Sequence, residues 1–312
     1  VFPTSDKASD VVDALYKELG ALGVKFMPKT TVESFVADDN RITAVKTSKG
    51  IFGGDSFVLA TGGKSYPLTG SDGSGYALAS SLGHTVIEPV AALSALELGS
   101  VTVGNRTFSV SETGLPEGVS LKNVEITAFF GNKKRSEFGE ALFTSTGLSG
   151  PVVLTLSSFV NRFSDIKLTV DFKPALDDKK LDLRLLREFE NAKNRQLKNV
   201  LPNLLPDSLA KWLADLLSFS DKQVNSVTKD ERKTLIKALK ALEFSVSSFA
   251  PIENAIVTAG GIKTSEIDPK TMKSKLIENL SFAGEIIDID ALTGGYNIQL
   301  ALSTGYVAGK NA

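Results

Sequence analysis

The apolar positions of this chain change period several times, and each change marks an element. Val11, Val12, Leu15, Leu19 and Leu22 recur at helical spacing. That spacing predicts an amphipathic helix, capped by Ser5 or Asp6 and broken at Gly20 and Gly23. Shorter runs then predict strands over 24–27, 31–37, 42–47 and 56–60, with turns at Asp38-Asp39-Asn40 and Gly50. The last strand ends in Ala60-Thr61-Gly62-Gly63, and a second helix is expected from Gly73 or Gly75 to Leu82. This order suits a three-layer α/β nucleotide-binding domain without an opening βαβ unit.

Beyond Ala92 the pattern turns strand-rich up to about Lys173, with alternation in Val101-Thr102-Val103 and Val124-Glu125-Ile126-Thr127-Ala128. Pro151 is suited to the first turn of an apolar helix over 152–160. From Leu181 to Leu242 the period is helical. The last helix sets Leu235, Ile236, Leu239 and Leu242 against a solvated face of Lys229, Arg232, Lys233, Lys237 and Lys240. Strand-like sequence resumes at Asn254–Thr258, and a final α/β element covers 280–309. The expected organisation is a discontinuous domain, 1–92 plus 253–312, interrupted by a β-rich insert (93–173) and a helical insert (174–252).

Composition narrows the function classes. A formal net charge of −1 and a pI near 6.1 provide no global basic field, so no nucleic-acid partner is expected. No apolar run approaches the roughly 20 residues of a membrane span, and the first residues lack the basic and apolar regions of a signal peptide. A cytoplasmic location follows as the expectation. These 312 residues hold no cysteine, which removes disulfide, thiolate-zinc and dithiol chemistry from them. The single histidine, His84, has no nucleophile-elbow motif nearby and is assigned a structural role at a helix end. No metal site is expected.

The candidate chemistry sits where buried strands end in small residues. Leu280-Ser281-Phe282-Ala283 runs into Gly284 and Glu285, then Gly294-Gly295-Tyr296-Asn297 opens a helix. In open α/β sheets ligands bind at the carboxyl ends of the strands. There Glu285 can accept hydrogen bonds from sugar-like hydroxyls, and the helix N–H groups suit a phosphate or the pyrimidine edge of a flavin. Thr61-Gly62-Gly63, with the Gly-rich loop behind it, and Gly260-Gly261 are two further strand ends of this kind. Packing glycines in ordinary strand-to-helix turns would produce the same pattern.

Several stretches resemble the BaiN/YhiN-like flavoproteins, described as NAD(P)/FAD-dependent or aminoacetone oxidase-like oxidoreductases. They are Phe2-Pro3-x-Ser5-Asp6-Lys7-Ala8-Ser9, Ala60–Pro67 with Thr69-Gly70-Ser71, Gly147-Leu148-Ser149-Gly150-Pro151 and Val257–Gly261, and finally Asp268–Met272 with Phe282–Glu285 and Gly294–Gln299. The resemblance implies a glutathione-reductase-type FAD domain carrying an inserted β domain and helical domain. It implies FAD contacts at Thr61, Gly62, Gly63, Gly260, Gly261, Gly284, Glu285, Gly294, Gly295, Tyr296 and Asn297. It implies substrate-side groups at Tyr66, Ser145, Gly147 and Ser149, with Ser145 standing where a His is expected in many relatives. No catalytic residue is assigned. The redox partner would be NAD(P)H or oxygen, acting on a small organic substrate. The G-x-G-x-x-G turn that opens such domains is missing from these residues, so a truncated chain is expected, with weak or absent FAD binding and an uncovered sheet edge that favours self-association. The competing expectation is a non-catalytic flavin-binding or interaction module.

Overall fold

The computed structural model describes residues 3–312; Phe2, the first residue of the Phe2–Ser9 motif, lies outside them. The chain forms two compact units. Unit 1 comprises Val1–Gly62, Gly73–Ile87 and Gly260–Ala312, and unit 2 comprises Gly63–Asp72 and Glu88–Ala259.

Unit 1 begins with helix α1 (Ala8–Ala21). Neither Ser5 nor Asp6 caps it: Lys7 holds the cap position without a side-chain bond. Asp6 instead has φ of 55° and closes a turn by donating its N–H to the Pro3 carbonyl (2.9 Å). Residues 24–27 form no strand; Phe26 meets Tyr16 of α1 edge-on at 5.1 Å. Strands β1 (Val32–Asp38), β2 (Arg41–Thr47) and β3 (Gly50–Gly53) make an antiparallel meander. Its first turn places Asp39 in the left-handed region, as the Asp-Asp-Asn signal requires. Strand β4 (Phe57–Leu59), helix α2 (Ser74–Ser81) and strand β5 (Val86–Ala92) follow.

Unit 2 is built on β6 (Leu96–Val103), β7 (Arg106–Ser109), the short α3 (Val110–Thr113), β8 (Ser120–Phe130), β9 (Lys133–Phe143), β10 (Gly147–Ser149), α4 (Pro151–Val160) and β11 (Lys167–Asp171). Helices α5 (Asp178–Asn191), α6 (Asp207–Leu216) and α7 (Lys229–Lys240) lead into β12 (Leu242–Phe249). That last strand corrects the helical reading of this stretch. Leu242-x-Phe244-x-Val246 alternates, and the run is too short to stand out beside a strong helix. The sheet order is β10-β9-β8-β11-β12-β6-β7, and β10 also pairs with β6. Six antiparallel strands therefore close on themselves, which removes open edges except at β7. Closure depends on Gly147, because a Cβ there would fall 1.9 Å from the Leu96 carbonyl oxygen. The segments 93–173 and 174–252 share one hydrophobic core, running from Leu96 through Leu156, Leu185 and Leu213 to Phe244.

The basic face of α7 is not free. Arg232 reaches Asp182 (2.5 Å), Lys237 reaches Glu243 (2.7 Å) and Lys240 reaches Asp171 (2.5 Å). Asp182, Glu243 and Asp171 lie on other elements, which a single-helix reading does not weigh.

The chain returns in β13 (Val257–Ile262), which pairs with β5. Strand β14 (Leu280–Phe282) lies parallel to β4, with Leu280 opposite Phe57 and Phe282 opposite Leu59, and helix α8 (Gly294–Asn311) closes the chain. Buried Asn279 ties this pair to the meander. It accepts the Ile42 N–H (2.9 Å) and donates to the carbonyls of Ile42 (2.8 Å) and Asp55 (3.1 Å). Among the described residues no helix is long and apolar enough to cross a membrane, and no acid–histidine cluster could hold a metal.

Candidate functional site

In unit 1 the carboxyl ends of the parallel pair β4 and β14 run into the two glycine-rich turns singled out above. Thr61 follows β4 and meets the first turn of α2, where the Cβ position of Gly75 lies 1.9 Å from Thr61 Oγ1 and 3.0 Å from Ile286 Cδ1. A side chain at 75 would clash with Thr61 unless Thr61 or α2 shifted. The next residue is Tyr76, a buried tyrosine to which sequence reasoning assigned nothing. Burial pushes its phenol well above the ordinary value, and the charges of Glu285 and Asp288 push it further. Neither Thr61 Oγ1 nor Tyr76 OH has a hydrogen-bond partner among the described residues. The signal available in the sequence was the Gly73-x-Gly75-Tyr76 start of a helix directly behind a polar loop.

Glu285 lines a small hollow with Gly284, Asn297, Ala301 and Thr304. Thr304 Oγ1 accepts the Gly284 N–H (2.9 Å), which anchors the turn to α8. Gly261 backs the same segment, since a Cβ there would lie 2.4 Å from the Ile286 carbonyl oxygen. Thr293 caps α8 by accepting the Tyr296 N–H (3.4 Å). Asn297 uses its amide internally: Oδ1 accepts from Ala291 N–H (3.0 Å), and Nδ2 donates to the carbonyls of Ala291 (2.7 Å) and Thr293 (2.9 Å). It therefore shapes the loop before α8. Tyr296 is exposed, and a Cβ at Gly295 would meet nothing within 4 Å.

Gly62 and Gly260 also lie in unit 1, whereas Gly63 and the substrate-side residues belong to unit 2. Thr258 Oγ1 accepts N–H bonds from Lys64 (2.8 Å) and Ser65 (3.1 Å), fixing the turn after Gly63 against β13. Tyr66 is half exposed with φ of 53°, and its N–H donates to the Glu253 carbonyl (3.1 Å). Ser145 is exposed, Gly147 serves barrel closure, and Ser149 is half-buried in β10. Ser71, in the same polar loop, has a buried hydroxyl without a partner among the described residues.

His84 lies between two partners distant in sequence. Ser274 Oγ already accepts the N–H groups of Leu276 (2.9 Å) and Ile277 (2.8 Å), so its own proton goes to His84 Nε2 (2.9 Å). The ring then donates from Nδ1 to Glu266 (3.2 Å), which also accepts the Thr85 N–H (2.9 Å). Serine, histidine and acid stand in the order of a hydrolytic triad. With Phe282 edge-on at 4.8 Å and the ring buried, the trio acts as a pin between the end of α2 and the 266–277 loop. The structural role expected of His84 is thus realised through partners that spacing could not reveal.

A parallel strand pair opening onto glycine turns, with helix N-termini beside it, defines a Rossmann-type mixed α/β protein. The family described as HI0933-like protein Rossmann domain matches residues 1–311, and this chain belongs to it, the BaiN/YhiN-like group to which its motifs pointed. Among its relatives is a 3-dehydro-bile acid delta(4,6)-reductase of Clostridium scindens, 30% identical over 100% of this chain and 75% of that protein. Two ribosomal RNA dihydrouridine synthases are also similar. The one from Haemophilus influenzae is 28% identical over 96% of this chain and 71% of its own length. The one from Escherichia coli is 31% identical over 98% and 72%.

Proposed function

We propose that this protein is an FAD-dependent oxidoreductase and that unit 1 supplies part of the FAD site. The observation that carries this reading is two buried hydroxyls without a partner among the described residues, that of Thr61 just past β4 and that of Tyr76 in α2, the latter within the field of Glu285. An unsatisfied buried hydroxyl costs about 1–3 kcal/mol, so two together favour a polar ligand that completes them. FAD fits these groups. Thr61 and Tyr76 offer hydroxyls, Glu285 accepts from sugar-like hydroxyls, and the first turn of α8 offers the N–H groups of Gly294 and Gly295, while the Tyr296 N–H is taken by the Thr293 cap. Gly62, Gly260 and Gly284 allow close backbone approach, Gly261 packs against the Ile286 carbonyl behind the turn, and Asn297 holds the α8 entry in place. Bound FAD would supply the two-electron redox chemistry.

The names of the two kinds of relative both describe hydrogenation of a carbon–carbon double bond in a ring. We take the same reaction type for this chain, with NAD(P)H as electron source. Segments 1–92 and 253–312 form the FAD-binding part in this reading. Unit 2 carries the substrate-side candidates, where Tyr66 and Ser145 are the exposed polar groups. The test is a titration of FAD followed by flavin fluorescence and thermal melting. Weak but saturable quenching and a small rise in Tm are expected, both lost or reduced in Thr61→Val and Tyr76→Phe. FAD that leaves both signals unchanged would overturn the reading.

A further inference from the structure

Most of the basic side chains near α7 are neutralised within unit 2. Lys240 alone serves three acceptors, the Asp171 carboxylate and the carbonyls of Lys173 (3.0 Å) and Leu176 (2.6 Å). Lys173 is different. Its backbone is pinned, because its N–H donates to Asp171 (2.8 Å) and its carbonyl accepts from Lys240. Its ammonium, half-buried, makes no hydrogen bond or ion pair among the described residues. Burial holds this amine below the ordinary lysine range, and the guanidinium of Arg184 lowers it further. Among the described residues Arg184 in turn pairs only with Glu188, one helical turn on, at 4.0 Å.

Both cations line a cleft of about 730 Å³ outside the barrel. Phe172 and Phe138 provide its apolar wall, and Phe138 is 62% exposed. Asn123 and Glu125 complete it from β8, with Glu125 directly opposite Phe138 in the ladder. We infer that this cleft is a ligand site for a small organic monoanion with an apolar body, its acid group taken between Lys173 and Arg184. An anion there relieves the repulsion of two cations, and the rigid 171–176 turn means little ordering cost on binding. The aromatic wall needs apolar area to cover, which a free inorganic anion lacks. Glu125 in the same lining disfavours polyanions, so a nucleic-acid backbone does not suit it. Every group invoked lies in unit 2, so the inference stands apart from the flavin reading.

The test uses decanoate as probe, with decanol and acetate as comparison ligands and no FAD present. Calorimetry should show saturable decanoate binding, weakened about tenfold or more in Lys173→Met, as expected for a lost charge-assisted hydrogen bond. Phe138→Ala should weaken decanoate as well. Decanol should bind more weakly than decanoate and respond only to Phe138→Ala. Trace acetylation mapped by mass spectrometry should show decanoate protecting Lys173 while exposed Lys229 is unaffected. Decanoate affinity unchanged in both variants, no decanoate binding at all, or decanol binding equal to decanoate would each overturn the proposal.

Discussion

Helices α1 and α7 are both amphipathic, yet their apolar faces have opposite fates. On α7, Leu235, Ala238 and Leu239 are buried within the core that binds the barrel to its helices, and a capping box at Thr228 and Glu231 fixes the start. On α1, Leu15, Leu19 and Leu22 are 58%, 37% and 69% exposed, no residue is buried, and no side chain caps the helix. The stripe in the sequence is equally clear in both. An amphipathic pattern states that a face is apolar; whether that face contributes to stability depends on what covers it. Unit 2 should therefore carry most of the measurable packing energy, while α1 should tolerate change.

The widest contrast is expected from leucine truncation. Leu213→Ala, at a fully buried position of α6, should cost about 3–5 kcal/mol in chemical denaturation. Leu15→Ala on α1 should cost no more than about 0.5 kcal/mol, as for exposed sites. Equal losses at the two positions would break the comparison.

Within unit 1 the best-tied point is His84. His84→Gln disturbs bonds to Ser274 and Glu266 and should cost about 1–3 kcal/mol. A pH dependence accompanies it. Burial lowers the folded-state pKa of His84 below the ordinary histidine value of about 6.5, with the Glu266 hydrogen bond and charge opposing in part. The unfolded chain then binds the extra proton first. Stability from this group is complete above about pH 6.5, declines as pH falls through that value, and levels off below the folded pKa. Denaturation midpoints of wild type and His84→Gln across this range should diverge least at low pH. A constant difference would contradict the assignment.

The smallest effect separates the helix starts. Thr228→Ala should lose about 1 kcal/mol through the capping box, whereas Ser5→Ala should change nothing measurable because Ser5 bonds to no α1 backbone group.

Local and contiguous signals survive translation into structure here. The Asp-Asp-Asn turn, Pro151 at the head of α4, Gly23 just past the end of α1 and the strand–glycine–helix motifs all act within a few residues, and the family motifs are runs of neighbours, whereas Gly20, expected to break α1, lies inside it. They were legible for that reason. The positions that needed the folded chain are those whose meaning lies in a distant partner. Gly147 is dictated by the Leu96 carbonyl across the barrel seam, Lys240 by Asp171 and the 173–176 carbonyls, and β12 by ladders on both of its sides. His84 finds Ser274 and Glu266 some 190 and 182 positions away. Tyr76 becomes a candidate only because its hydroxyl is buried without a partner among the described residues and lies within the field of Glu285 and Asp288. Burial and charge are properties of an environment, and an environment is assembled by tertiary contacts that no local period encodes.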